Sequence, residues 1–234
     1  MTGEPLPRYV QISEQLIRDI AAGRLADGAR LPPERRMAGE FGVSIGTLRK
    51  ALERLEVGGL LTRIQGSGNY VNSGTSVSSV YAMFRLERPG GGGLPTAEVL
   101  TVSRVGKPDD LPDFGTDAEV FRIRRLRRLD GDPVAIEEIW LDGSWAKSLA
   151  PQDLSESLYL HYRSVLGLEI GRVEDRIGLG AVPGWTPEAF VPAAGATTPM
   201  VERLSWSQNG ITAEYSRTWF DNDKARYISR LGKG

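Results

Sequence analysis

Glycine and proline punctuate the first seventy residues so closely that only short elements fit there. Pro7 near the start and Gly23 at the stop bracket one helical pattern, in which Tyr9, Ile12, Leu16, Ile17 and Ile20 recur at helical spacing. Pro33 suits the first position of a second helix running to Phe41, and Gly42 suits its C-terminal cap. Ser44 is a good N-cap for a third helix. Its Leu48, Ala51, Leu52 and Leu55 form one apolar stripe before Gly58-Gly59 ends it. "LLTRI", "QGSG" and "NYV" then read as a two-stranded ribbon with a glycine-rich tip. Three short helices followed by such a ribbon are the layout of a winged helix-turn-helix, whose second motif helix enters the major groove of DNA.

The first turn of the third helix sharpens this. Ile45 and Gly46 fall off the apolar stripe, and an exposed isoleucine and a helical glycine both cost free energy. Entry into a groove would end that exposure: Gly46 allows close approach, and Ile45 can pack on a thymine methyl. The "GSG" of the ribbon lets backbone approach phosphate, and no lysine follows it as in a nucleotide-binding loop.

Charge agrees with the layout. Residues 1–72 carry ten Lys/Arg against eight Asp/Glu, and the remainder nineteen against twenty-two. Arg30, Arg35, Arg36, Arg49, Lys50, Arg54 and Arg63 gather in the first part. Basic residues on small helices usually form a solvated face, so the assignment rests on the constellation and the ribbon together. The absence of cysteine excludes disulfides and thiolate metal sites, and His161 alone does not make a metal site or a triad. No apolar run suits a signal peptide or a bilayer span, so a cytoplasmic protein without cofactor, metal or membrane partner is expected.

A length of 234 residues suggests one large or two modest domains. The division expected is a DNA-binding domain over 1–72, a linker over 73–79 ("SGTSVSS") and a second domain over 80–234. In the second domain "VFRIRRLRRL" and "PVAIEEIWL" read as strands joined by the turn "DGDP". "SESLYLHYRSVLG" is helical, "PGGGG" at 89–93 is a loop, and "MVERLSWS" with "ITAEYSRTWF" brackets a hairpin at Gln208-Asn209-Gly210. The class is α+β.

Alternation along the first strand sets Phe121, Ile123, Arg125, Arg127 and Leu129 on one face, the more apolar one, which should turn inward. Two arginines on a partly buried face need anionic partners. Those partners are either carboxylates of the chain, with Glu137 and Glu214 as candidates, or a bound anion. The same glutamates could serve an enzyme as acid and base, but strand carboxylates are more often surface residues or ligand anchors. Trp140, Trp145, Trp185, Trp206 and Trp219 are spread over separate segments and are assigned to core or dimer contacts.

Two resemblances add to these readings. "LPPERRMAGEFGVSIGTLRKALERLEVGGLLTRIQGSGNYV" resembles the DNA-binding domain of GntR-family bacterial transcription regulators, with a match from Pro7 to Val71. The resemblance implies DNA-contacting positions at Arg35, Ser44, Ile45, Thr47, Arg49, Gln65 and Gly66. The chain departs from the family in having Pro33-Glu34-Arg35 for the usual Ser-Glu-Arg, and Ile45 for the usual arginine. "RLRRLDGDPVAIEEIWL", "DLSESLY", "MVERLSWSQNGITAEYSRTWF" and "DNDKARYI" resemble the UTRA sensor domain of the HutC subfamily. That domain is an α+β, mainly antiparallel sheet fold related to chorismate lyase. Its ligand positions would fall on Arg125, Arg127, Glu137, Ser157, Tyr159 and Glu214, with Phe220 where sugar-phosphate-binding relatives often have tyrosine.

Taken together, the sequence implies a homodimeric repressor that reads an inverted repeat of operator DNA under control of a small anionic metabolite. A phosphorylated sugar is the first candidate, and a carboxylic or amino acid the second. A lyase-like enzyme and a DNA binder without effector are the alternatives. No catalytic residue is assigned.

Overall fold

The structure is a computed structural model and describes residues 6–72, 83–154 and 157–230. The expected linker, 73–79, lies outside the described residues. Two bodies make up the chain. One holds Leu6–Arg85 with Gly90–Leu94 and the residues from Tyr227 onward, and the other holds Pro95–Arg226 with Leu86–Pro89.

The first body contains α1 (Arg8–Ala21), α2 (Glu34–Glu40) and α3 (Ile45–Val57), then the strands β1 (Leu61–Ile64) and β2 (Gly68–Val71). Each helix has the stop its sequence promised, with Gly23 and Gly42 at positive φ. Pro33 stands one place earlier than expected. It is the cap residue of α2, extended at φ −53° and ψ 137°, and Glu34 is the first helical residue. The α3 stripe is the heart of the core: Leu48, Ala51, Leu52 and Leu55 pack with Ile12, Leu16 and Ile17 of α1, Met37 and Ala38 of α2, and Leu61 and Val71 of the wing. Burial of each large aliphatic side chain contributes roughly 1.5–3 kcal/mol. β1 and β2 pair antiparallel from Leu61↔Val71 to Ile64↔Gly68, and Arg30 bridges to Tyr70 on the outer side of β2.

The second body is built on an antiparallel sheet of six strands in the order β4-β5-β6-β9-β8-β7. Its strands are β4 (Pro95–Gly106), β5 (Glu119–Leu129), β6 (Asp132–Asp142), β7 (Ile170–Ala181), β8 (Thr197–Ser207) and β9 (Thr212–Phe220). Two short strands, β3 (Leu86–Glu87) and β10 (Arg226–Tyr227), lie outside it. Both expected hairpins form: Asp130 and Gly131 take positive φ between β5 and β6, and Gly210 does so between β8 and β9. β4 and β7 have no counterpart among the sequence-predicted strands. They are the two edges of the sheet.

The predicted helix over 155–167 is shorter than expected within the described residues. Ser157 caps α4 (Leu158–His161), the turn continues in π form over Tyr162–Leu166, and Gly167 ends it at φ 67°. This segment covers one face of the sheet, where Leu154, Leu158, Tyr162 and Leu168 pack on Phe121, Ile123, Ile139 and Leu141. Val182 and Phe190 pack against Leu126, Ile136 and Trp219 in a second cluster, and Trp140 joins Phe114, Val120 and Tyr215 in a third. Trp140 and Trp219 are therefore core residues, as expected.

Candidate DNA-reading surface and ligand cluster

On the first body, the start of α3 is fixed by its own side chains. Ser44 Oγ accepts the backbone N–H of Thr47 at 3.1 Å and shares a hydrogen bond with Thr47 Oγ1 at 2.9 Å. The turn so capped leaves Ile45 38% exposed, and the Cβ position of Gly46 meets only Ser44 Oγ, at 3.8 Å. Arg35, Arg49, Gln65 and Gly66 are exposed, and Gly66 turns the wing tip at φ 76°. Gly68 admits the Arg30 side chain, whose Nε lies 3.2 Å from where a Cβ would sit.

Sequence reasoning missed Glu34 as a partner. Its carboxylate takes Arg49 Nε at 2.6 Å and Arg63 Nη2 at 3.4 Å, so one acid ties α2 to α3 and to the wing strand. Two other basic residues of the cluster also have acidic partners within the domain. Arg54 turns to α1, where it donates to Ser13 Oγ at 3.0 Å and faces Glu14 at 3.4 Å, and Arg36 pairs with Glu40 at 2.8 Å.

In the second body the strand registers lay side chains out in rungs. Arg125, Glu137, Thr218, Val201 and Ile177 share one rung, and Ile123, Ile139, Ser216, Arg203 and Asp175 the next. Phe121, Leu141, Glu214, Ser205 and Val173 form the third. The face expected to turn inward does so: Arg125 and Arg127 are buried along with Phe121, Ile123 and Leu129. Glu137 holds Arg125 Nη2 at 2.6 Å and lies 3.8 Å from Arg127 Nε. Of the partners left open by the sequence, the chain thus supplies a carboxylate itself. Burial works to raise the Glu137 carboxyl, but Arg125 and Arg127 outweigh it and hold the group below its ordinary value.

A second acid sits two rungs away in other company. Glu214 accepts Tyr162 Oη at 2.7 Å, Tyr159 Oη at 3.2 Å and Ser205 Oγ at 3.3 Å. Burial pushes its carboxyl up, against those hydrogen bonds and the charges of Arg125 and Arg203. Burial and the nearby Glu214 charge raise both tyrosines as well. Arg203 is held by Asp175 in a two-pronged pair at 2.6 and 2.7 Å.

Of the sequence-predicted positions, Arg125, Arg127 and Glu137 come together, and Tyr159 and Glu214 join through their hydrogen bond. Ser157 caps the helix that carries Tyr159, its Oγ accepting Leu160 N–H at 3.4 Å. Phe220 is buried and pairs with Ala135, which in turn faces Arg127. Arg203, Asp175, Ser205 and Tyr162 were not singled out. The alternation of Val201, Arg203 and Ser205 in "MVERLSWS" was the available signal. Among the described residues no group of three or more acidic or histidine side chains is placed to hold a metal, and no helix is long and apolar enough to cross a membrane.

Comparison with known proteins gives consistent results for both bodies. Residues 8–71 match the family described as bacterial regulatory proteins, gntR family, and residues 91–226 match the UTRA domain. The chain is 58% identical over 230 residues to the HTH-type transcriptional regulator SmoD of Agrobacterium fabrum, covering 98% of each chain. It is 26% identical to the HTH-type transcriptional repressor NagR of Bacillus subtilis, over 98% of this chain and 96% of that one. It is 28% identical to the mannosyl-D-glycerate transport/metabolism system repressor MngR of Escherichia coli, over 94% of each. Among solved structures, the regulator YydK of Bacillus subtilis aligns at a TM-score of 0.53 and 21% identity, covering 96% of this chain and 99% of that one. The ligand-binding domain of a GntR-family regulator from Bordetella bronchiseptica aligns at 0.55 and 21%, covering 63% and 96%. These two likenesses concern the fold.

Proposed function

The chain belongs to the GntR family of bacterial regulatory proteins and carries a UTRA domain, and from that premise we propose that it is a cytoplasmic, homodimeric repressor whose operator binding is set by a small anionic metabolite. That it is a transcription regulator follows from the family itself. The observation that carries the rest is a buried cluster of arginines, acids and tyrosines in a body joined to a DNA-reading domain. Sheets do not bury such groups for stability alone, because each desolvated charge costs several kcal/mol, on the order of what pairing returns.

Within that reading Arg125 and Arg127 take the anion. Two guanidiniums stand together at the buried Glu137 carboxylate, and their planar forks match phosphate or carboxylate oxygens. Glu137 and Glu214 accept from hydroxyl or amine groups on the remainder of the molecule, with Ser157 and Tyr159 adding hydroxyls. This combination suits a phosphorylated sugar, with a small carboxylic acid second. Buried Phe220 offers no hydroxyl of its own. Members of the family are DNA-binding regulators and not enzymes, so the two acids are assigned to anchoring and not to acid–base chemistry.

Arg127→Ala should leave operator binding intact while removing the response to inducer, a coupling of roughly 1–3 kcal/mol or about 5–150-fold in operator affinity. The inducer comes from a thermal-shift screen of phosphosugars, amino acids and organic acids. Gel shifts with and without it are the measurement, and a wild-type response by the variant moves the pocket elsewhere. At the other end of the chain, Ile45→Arg should shift base preference toward guanine at one position of each half-site, since arginine donates to guanine and isoleucine cannot. Binding-site selection with both proteins checks this; identical preferences would remove Ile45 from the interface.

A further inference from the structure

Between α1 and α2 the chain passes beside β2, on the side that β1 leaves open. Backbone bonds from Gly28 N–H to the Val71 carbonyl at 2.8 Å, Val71 N–H to the Ala29 carbonyl at 2.9 Å and Leu31 N–H to the Asn69 carbonyl at 2.9 Å fix residues 28–31 there. Alternation then sorts their side chains. Ala29 and Leu31 turn to the core of the first body, while Arg30 stands outward opposite Tyr70. Gly68 and Tyr70, two apart on β2, share that outer face. Arg30 does not stay over Tyr70. Its Cγ, Nε and Nη2 lie 3.9, 3.2 and 3.7 Å from where a Cβ of residue 68 would sit, so the side chain runs two residues along the wing toward its tip. Only glycine leaves that track open, and Gly68 also takes φ 134°, which residues with side chains rarely adopt. Just beyond it stand Gln65 and Gly66, both exposed.

The charge on this track is not spent inside the domain. Arg36, Arg49, Arg54 and Arg63 each have a carboxylate within 3.4 Å. Arg30 is exposed, and among the described residues no carboxylate lies within ion-pair distance of it. We infer that Arg30 takes a backbone phosphate of the operator in each half-site and thereby seats the wing tip. The inference rests on the DNA-reading surface of the preceding section and adds a residue that lies outside both its helix and its glycine tip. The placement selects phosphate over base. When the tip of a ribbon approaches a groove, its flank meets the sugar–phosphate wall, which offers anions and no base edges. An arginine laid along that flank presents forked donors to them. It is also prepared for the contact. Backbone bonds hold its Cα and Gly68 sets its direction, so binding would order less of the side chain than it would for an arginine on a loose loop.

The test uses the full-length protein and the duplex that it recovers in binding-site selection. Arg30→Ala removes an exposed side chain with no ion pair, so thermal melts should match the wild type. Its operator affinity should fall roughly fivefold per half-site, about thirtyfold in a dimer at physiological salt, and the slope of log affinity against log salt should drop by about two. Arg30→Lys keeps the charge and should recover most of both. Base preferences should not change, since phosphates carry no sequence; a preference altered by Arg30→Ala puts the guanidinium in a groove and overturns the phosphate contact. Duplexes with a single neutral methylphosphonate, moved through the site, give a readout that a merely structural role would not move. At one linkage in each half-site the substitution should weaken the wild type and leave Arg30→Ala unaffected. If no linkage behaves so, the contact is overturned, however weakly the variant binds. Arg49→Ala separates this inference from the surface on which it rests. If that variant binds weakly while Arg30→Ala does not, only Arg30 leaves the interface; if both bind as the wild type does, the reading surface itself falls.

Discussion

Arg49→Ala is expected to lower operator affinity by roughly 2–6 kcal/mol in a dimer, because a contact worth about 1–3 kcal/mol is lost in each half-site. The fold should not notice. Arg49 lies off the Leu48/Leu52/Leu55 stripe, and its side chain is exposed at the surface of α3. What it loses inside the protein is the 2.6 Å pair with Glu34, a surface ion pair of the kind worth at most about 1 kcal/mol. Fluorescence anisotropy on operator DNA at several salt concentrations gives both quantities of interest. If Arg49 meets phosphate, the slope of log affinity against log salt should fall by about one for each half-site. Equal affinity at matched salt would return Arg49 to the solvated surface.

Arg125→Ala should destabilise the second body by about 3–5 kcal/mol, the usual consequence of removing one partner from a buried ion pair. Glu137 would remain buried with its 2.6 Å partner gone and Arg127 3.8 Å away. Replacing both partners, as in Arg125→Met/Glu137→Leu, should recover most of the loss because no charge is then stranded. Denaturant midpoints at constant m-value are the measurement. A single variant as stable as the double would show that Glu137 is solvated. Acid provides a second reading. Since the folded Glu137 carboxyl lies below its ordinary value, its contribution is complete above the unfolded pKa and is lost as pH falls through the folded one. That acid limb should shrink in Arg125→Ala. The large stability cost is also why Arg127, and not Arg125, is the variant for testing the effector.

Much of the first body could be read directly, because its determinants are local. A cap at Ser44, a stripe at three- and four-residue spacing and glycines at the stops specify α3 without reference to distant residues. The β5–β6 hairpin was legible for the same reason, Asp130 and Gly131 marking its turn; the bulge between Arg127 and Arg128, which sets Arg125 opposite Glu137 where the turn's own register would set Ile136, was not. What stayed hidden depends on distant partners. β4 and β7 carry partly exposed side chains on both faces, as edge strands do, so no clean alternation marks them. Asp175 meets Arg203 only because β7 pairs with β8 in one particular register, and Glu34 meets Arg49 only once α2 and α3 have packed. Composition cannot distinguish Arg54, which is tied to α1, from Arg49, whose pair with Glu34 lies at the surface of α3; that requires knowing that α1 lies beside the first.

On the proposed DNA-reading surface the Glu34 carboxylate would have a kinetic meaning. Held between Arg49 and Arg63, it would subtract charge from the surface proposed to meet the DNA backbone. Every stretch of chromosome offers phosphates, and a surface stripped of acids would cling to all of them. A built-in counter-ion weakens each encounter with irrelevant sequence, where only phosphate is on offer. The deficit is made good only where base edges add contacts of their own. Fewer molecules are then sequestered on the vast excess of wrong sites, and each visit to one is shorter. The protein would find its operator sooner because it holds everything else less firmly.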